Sequence, residues 1–244
     1  TAATLSTWRS DLLAKLKAAT FSAWPKAVPE SPVPALKNEA TAGDEITEDG
    51  IKVQFAWHPG ENAEVLSLIV LNPDETPGAI PEWAREHVGK GSALVVSPRG
   101  TGVNAWTKKS PPNTVERSLA LLGATVDSGR VWDVVAIAKR QAGRGSWRVM
   151  GKGQAGIIGA YAALYEPAIK GVTLVNPPAS HFPKSPGEEY GPALLNVLRV
   201  LDIPDALGCL APRDLMIVGG PTAAFERTGE LYKISGAEAK LIRK

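Results

Sequence analysis

Trp147-Arg148-Val149-Met150-Gly151-Lys152-Gly153-Gln154-Ala155-Gly156, followed by Ile157-Ile158-Gly159-Ala160-Tyr161-Ala162-Ala163-Leu164-Tyr165, is the stretch on which the fold turns. Its first four residues read as a short strand, its glycines as a tight turn, and the small apolar run as a helix packed on a sheet. That order is the local geometry of a nucleophile elbow, in which G-x-S-x-G holds a serine on a strained turn. Here the serine position is Gly153, which has no side chain to attack with. The same residues, Gly151, Gly153 and Gly156, also satisfy G-x-G-x-x-G, the fingerprint of a turn that binds NAD or a related dinucleotide. That reading needs an acid about 20 residues on to hold the ribose, and the next strand ends instead at Asn176-Pro177-Pro178. A third reading asks of the glycines only close packing of strand and helix.

Working outward, short apolar runs alternate with helical patterns. Strands are expected over Ile51 to Trp57, Val65 to Leu71, Ala93 to Ser97, Trp147 to Gly151, Gly171 to Asn176, Leu215 to Gly219 and Ala239 to Ile242. Helices are expected over Pro81 to Val88, Thr114 to Gln141, Gln154 to Tyr165 and Phe225 to Ser235. Runs such as Leu66-Ser67-Leu68-Ile69-Val70-Leu71 suit strands buried on both faces. The class is therefore α/β, a mostly parallel sheet flanked by helices on both faces, with ligands expected beyond the carboxyl ends of its strands.

Upstream, Trp8, Leu12 and Leu16 recur every fourth residue, and Leu13 and Phe21 widen the stripe into an amphipathic helix over 6–24. Pro25 ends it, and Pro29, Pro32 and Pro34 read as an extended linker. The expected organisation is an N-terminal helix and Pro-rich linker over 1–50 and an α/β domain over 51–244.

The chain has 244 residues, 44% hydrophobic and 21% charged, with a net charge of +2. That is ample apolar mass for one core, and too little charge to argue for nucleic acid or an anionic membrane. No apolar run reaches the ~18 residues of a membrane span. Cys209 is the single cysteine, without a partner for a disulfide or a zinc site. No cofactor and no metal is expected. The chain begins at Thr1 without a signal-peptide pattern, which reads as a processed or cut start, and it stops abruptly, as one half of a longer protein would.

Several segments in order carry a family resemblance: Ser97-Pro98-Arg99-Gly100-Thr101-Gly102 after a strand, the helix containing Arg130-Val131-Trp132-Asp133, the turn at 151–156, the segment at 165–181, and 210–220. From about residue 50 to 240 the chain resembles the α/β-hydrolase fold. Within it, the likeness is to bacterial acetyl xylan esterase-like proteins, related to dienelactone hydrolases and prolyl oligopeptidases. The resemblance implies a soluble carboxylic ester hydrolase of periplasmic or secreted location. It also implies a triad that this sequence does not supply. The nucleophile position is Gly153; the acid's loop, Gly219-Gly220-Pro221-Thr222-Ala223-Ala224, has no carboxylate; the chain stops at Lys244 where a histidine is due. A degenerate, non-catalytic domain is then expected, serving as accessory, dimerisation or ligand-binding part of an esterase-type protein. Its partner would be another esterase-type domain, a second copy of itself or an acylated carbohydrate.

Residue by residue, the ligand-binding candidates are Gly153, Gln154, Arg99 and His181. Gln154 would place its backbone N–H as an oxyanion donor. Arg99 would hold a carboxylate or pair internally with Asp133. His181 is the candidate base of an alternative in which the chain is an active esterase with water as nucleophile. Its neighbour Ser180 points away from it, as adjacent side chains do. His58 and His87 read as structural, and Asp202 reads as the cap of the helix that contains Pro204 and Asp205, in preference to a catalytic acid. Trp106, Trp132 and Tyr190 could form a sugar-facing platform or pack internally.

Overall fold

The computed structural model describes residues 2–30, 36, 38–105, 112–183 and 186–244. Pro32, Pro34 and Trp106 lie outside them. The elements run α1 (Ala2–Thr20), β1 (Thr41–Glu48), β2 (Ile51–His58), β3 (Asn62–Val70), α2 (Glu82–Val88), β4 (Gly91–Ser97), α3 (Pro112–Leu121) and α4 (Val126–Arg140). Then come β5 (Trp147–Lys152), α5 (Gly153–Tyr165), β6 (Ile169–Val175), α6 (Ile203–Gly208), β7 (Asp214–Val218), α7 (Glu226–Ile234) and β8 (Leu241–Arg243). The eight strands form one sheet in the order β1-β2-β4-β3-β5-β6-β7-β8. β2 pairs antiparallel with both β1 and β4, and every other pairing is parallel.

Period-two alternation divides the core between the two faces of this sheet. Leu66, Leu68 and Val70 of β3 and Leu94 and Val96 of β4 join a large cluster with α4, α5 and α6 and with Leu16 of α1. Ile69, Leu71, Ala93 and Val95 join a smaller one with Ala84 and Val88 of α2. α5 is buried along nearly its whole length, so its sequence is small and apolar all round and carries no amphipathic stripe.

Three elements differ from expectation, the first being α1, which runs Ala2–Thr20 rather than 6–24 and stops before Pro25. The helix read over 114–141 is two helices, because the chain turns at Gly123, whose φ is +74°. Thr125 then restarts it with a reciprocal capping box to Ser128. β1 lies within the stretch read as helix and linker, and it opens the sheet at Thr41. Its inward residues are Glu45 and Thr47 while Ile46 is half-exposed, so the usual apolar-in alternation is missing.

Glu45 is the costly residue of that strand. It is almost fully buried against α4, its Oε2 has no hydrogen-bond partner among the described residues, and Arg140 Nη1 approaches Oε1 only to 3.9 Å. Burial pushes its carboxyl up to about 6, against the smaller opposing pull of Arg140 and Gln141. A raised folded-state value means that stability is fully present while both states are protonated and falls as pH rises from about 4.5 through about 6. Glu45→Gln, which mimics the neutral acid, is expected to stabilise the protein by about 1–2 kcal/mol at pH 7.5. The gain should vanish at pH 4. Urea melts at the two pH values test this, and a variant no more stable than the parent at pH 7.5 would refute the burial argument.

Candidate functional site

β5 delivers the chain to Gly151-Lys152-Gly153, and α5 leaves at once. Three distinct demands are met by glycine here. A Cβ on Gly151 would lie 2.4 Å from the Gly156 nitrogen, and one on Gly156 would lie 2.6 Å from the Gly151 oxygen, so these two glycines let strand end and first helical turn touch. Gly153 has φ +54°, the left-handed region that side chains rarely adopt. A Cβ built there would point at the carboxylate of Glu189, 2.8 Å from Oε1.

Around Gly153 opens a polar cleft of about 330 Å³ beyond the carboxyl ends of β3, β5 and β6, lined by Asn72, Glu75, Lys152, Asn176 and Glu189 among others. Asn72, just past β3, ties that strand's end to the elbow. Its Nδ2 donates to the Lys152 carbonyl at 2.9 Å and its Oδ1 accepts from the Ala155 N–H at 3.1 Å. Its own N–H donates to Glu75 Oε2 at 2.7 Å, and Glu75 is held in turn by Trp83 Nε1. The next residue, Pro73, has no N–H. Neither the Asn72 nor the Pro73 nitrogen therefore serves the cleft as an oxyanion donor. Gln154 is in the first turn of α5, where backbone N–H groups have no partner within the helix. Its side chain donates to the Tyr190 carbonyl at 2.9 Å, which ties the 186–191 loop down over the elbow.

The other candidates are placed elsewhere. His181 is buried, with Nδ1 2.8 Å from the Pro192 carbonyl oxygen and Nε2 2.8 Å from the Tyr161 hydroxyl. A neutral ring that donates from Nδ1 and accepts at Nε2 satisfies both contacts. Burial holds its pKa below the ordinary histidine value, although the Pro192 carbonyl and Asp202 pull the other way. It borders a separate hollow with Pro192 and Leu194, outside the cleft at Gly153. Asp202 caps α6 and also accepts from the Ser180 hydroxyl at 2.5 Å and the His181 N–H at 2.9 Å. Asp205 pairs with Arg227.

Arg99 is the internal ion pair of the two alternatives. Its Nε and Nη2 meet Asp133 at 3.0 and 2.8 Å, and Nη2 also meets Glu48 at 2.9 Å. His58 Nε2 contacts the Gly78 carbonyl, and His87 lies beside Glu86. Trp132 is buried with its Nε1 donating to the Thr47 carbonyl, whereas Tyr190 is exposed and meets Phe182 edge-on at 6.0 Å between ring centroids. Sequence reasoning missed Asn72, Glu75 and Glu189. The first stands immediately after a strand end, a signal that was available; the others carry no motif.

No family model matches the sequence, and neither does any characterised protein. Solved structures do match. A candidate acetyl xylan esterase from Bacteroides fragilis superposes over 100% of this chain and 76% of its own, with a TM-score of 0.69 at 13% identity. The acylaminoacyl peptidase of Pyrococcus horikoshii covers 86% of this chain and 37% of its own, with a TM-score of 0.58 at 12% identity. An esterase of Pyrococcus furiosus covers 90% and 85%, with a TM-score of 0.51 at 12% identity. The chain has the α/β-hydrolase fold. In that fold the turn after β5 is the elbow, and here it holds Gly153. The sheet starts with the antiparallel strand β2 beside β1 and β4, and its order, with β3 and β4 exchanged, is not the 3-2-1-4-5-6 order of a dinucleotide-binding sheet. Past β6 and β7 the chain is pinched together. The Asn176 N–H donates to the Val218 carbonyl at 2.7 Å, and a Cβ on Gly219 would strike Asn176 Oδ1 at 2.1 Å.

Proposed function

We propose that this chain is a non-catalytic, ligand-binding member of the α/β-hydrolase fold, the accessory part of an esterase-type protein, and that its elbow cleft takes an acylated carbohydrate. The observation that carries this reading is Glu189 over Gly153. The direction in which a nucleophile would leave the elbow is occupied by a carboxylate from another loop, and Gly153 has no side chain to compete for it. An acyl-transfer site also needs donors for the oxyanion, and Asn72 N–H is already committed to Glu75.

The cleft offers what a sugar needs instead. Lys152, Asn176 and Glu189 present donors and acceptors together, and Phe182 and Tyr190 expose aromatic faces on neighbouring turns. The likeness in fold to a candidate acetyl xylan esterase supports the same ligand class. Another esterase-type domain would supply any catalysis, whereas a second copy of this chain would pair with it only as a dimerisation partner.

Purified chain should hydrolyse p-nitrophenyl acetate no faster than its heat-denatured form, and an acetylated xylo-oligosaccharide should raise its melting temperature. A rate above the denatured control that disappears in folded His181→Ala would overturn the proposal and move the chemistry to the Ser180-His181 turn.

A further inference from the structure

A larger cavity, about 460 Å³, lies beyond the carboxyl end of β4, between the β1–β2 hairpin and α3. Its volume falls in the range of small-molecule sites, roughly 300–1,000 Å³. Among the described residues, four aliphatic side chains line it, with Lys52, Arg99 and Asn104 at its edge. Val115 and Leu119 stand one turn apart on α3, and Ile46 and Ile51 line the cavity from the hairpin. The rest of the described α3 surface, from Glu116 to Ser118 and on to Leu121, is exposed, so its partly covered apolar stripe is the one that borders the cavity. The side between α3 and the hairpin isoleucines offers water few polar partners and suits the apolar part of a ligand.

The charges at its edge single out a head group. Arg99 borders the cavity but is already held by Asp133 and Glu48. Asn104 borders it too, with its Nδ2 donated to the Lys52 carbonyl. Lys52 is directly opposite Ile46 in the antiparallel pair, hence on the same face of the hairpin. It is exposed, and it has no ion pair among the described residues. We propose that this cavity binds a small aliphatic carboxylate, its chain lying between Val115, Leu119 and the hairpin isoleucines and its carboxylate paired with Lys52.

Calorimetric titration with octanoate, octanol and octylamine tests this. Octanoate is expected to bind saturably at one site, and octylamine more weakly. Lys52→Gln should weaken octanoate about threefold to fivefold, as an exposed ion pair would, and leave octanol unchanged. Leu119→Trp, which fills the cavity from α3, should abolish binding of both; Ile51→Trp fills it from the hairpin should the first variant fail to fold. Absence of saturable octanoate binding by the folded parent, binding that survives a folded filler variant, or equal losses of octanoate and octanol in Lys52→Gln would each overturn the proposal.

Discussion

Asp133→Ala is expected to cost about 3–5 kcal/mol of stability, the penalty for breaking a buried ion pair from one side. Asp133 is 0% exposed and accepts from the Arg99 backbone N–H at 2.9 Å, from Arg99 Nε and Nη2, and from the Thr47 hydroxyl at 2.6 Å. Burial works against the Arg99 charge, and Asp133, helped by Glu48, more than offsets it. With alanine at 133 the guanidinium, whose side chain is only 13% exposed, keeps a single carboxylate. It cannot withdraw either, since it lies on Gly129, where even a Cβ would meet Nη1 at 2.7 Å. The pair also joins three elements. Thr47 belongs to β1, Arg99 follows β4 and Asp133 is on α4, so the loss should loosen the hairpin that walls the aliphatic cavity. Urea denaturation gives the magnitude, and Asp133→Asn should fall between parent and alanine because it keeps an acceptor. A loss below about 1 kcal/mol for alanine would mean that Glu48 alone holds the arginine.

That pair also shows what a sequence exposes and what it hides. Arg99 and Asp133 were legible together because an arginine just past a buried strand and an acid on a buried helix each need a partner. The sheet was legible for a related reason: β3, β4 and β6 are covered on both faces, and unbroken apolar runs have few other uses. β1 was not, because Glu45 and Thr47 fill its inward positions and turn an apolar alternation into a polar one. The helix over 114–141 hid its break since one glycine and a threonine cap leave the composition helical on both sides. At the site, the elbow could be read from Gly151, Gly153 and Gly156, whose spacing is local. Glu189 could not. Which distant loop folds back over a turn depends on tertiary contacts such as Gln154 to the Tyr190 carbonyl, and no period or motif encodes them.

Gly151→Ala is expected to lose about 3 kcal/mol, the upper end of what overpacking costs, while Gly153→Ala loses about 1–2 kcal/mol, the cost of a side chain in the left-handed region. The difference lies in what each methyl group would meet. At Gly151 the neighbours at 2.4–2.6 Å are the backbone of Ala155 and Gly156, which cannot move without unwinding the start of α5. At Gly153 the neighbour is the end of the Glu189 side chain, which can swing into solvent. Gly159 falls between them, since its obstacle is the Val149 side chain at 2.8 Å. This ranking tells which of the glycines is held by backbone packing and which only by its own conformation. In the elbow pattern the last glycine would fall at Ala155, so here the close packing of strand and helix is made by Gly151 and Gly156, while the middle position of an elbow carries a side chain. Melting curves of the two alanine variants check it. If Gly153→Ala melted as low as Gly151→Ala, Glu189 would be fixed as firmly as backbone, and the elbow would be closed to any side chain by its own fold. If it melted near the parent, the turn would still have the shape to carry a nucleophile, and what this chain lacks there would be the side chain alone.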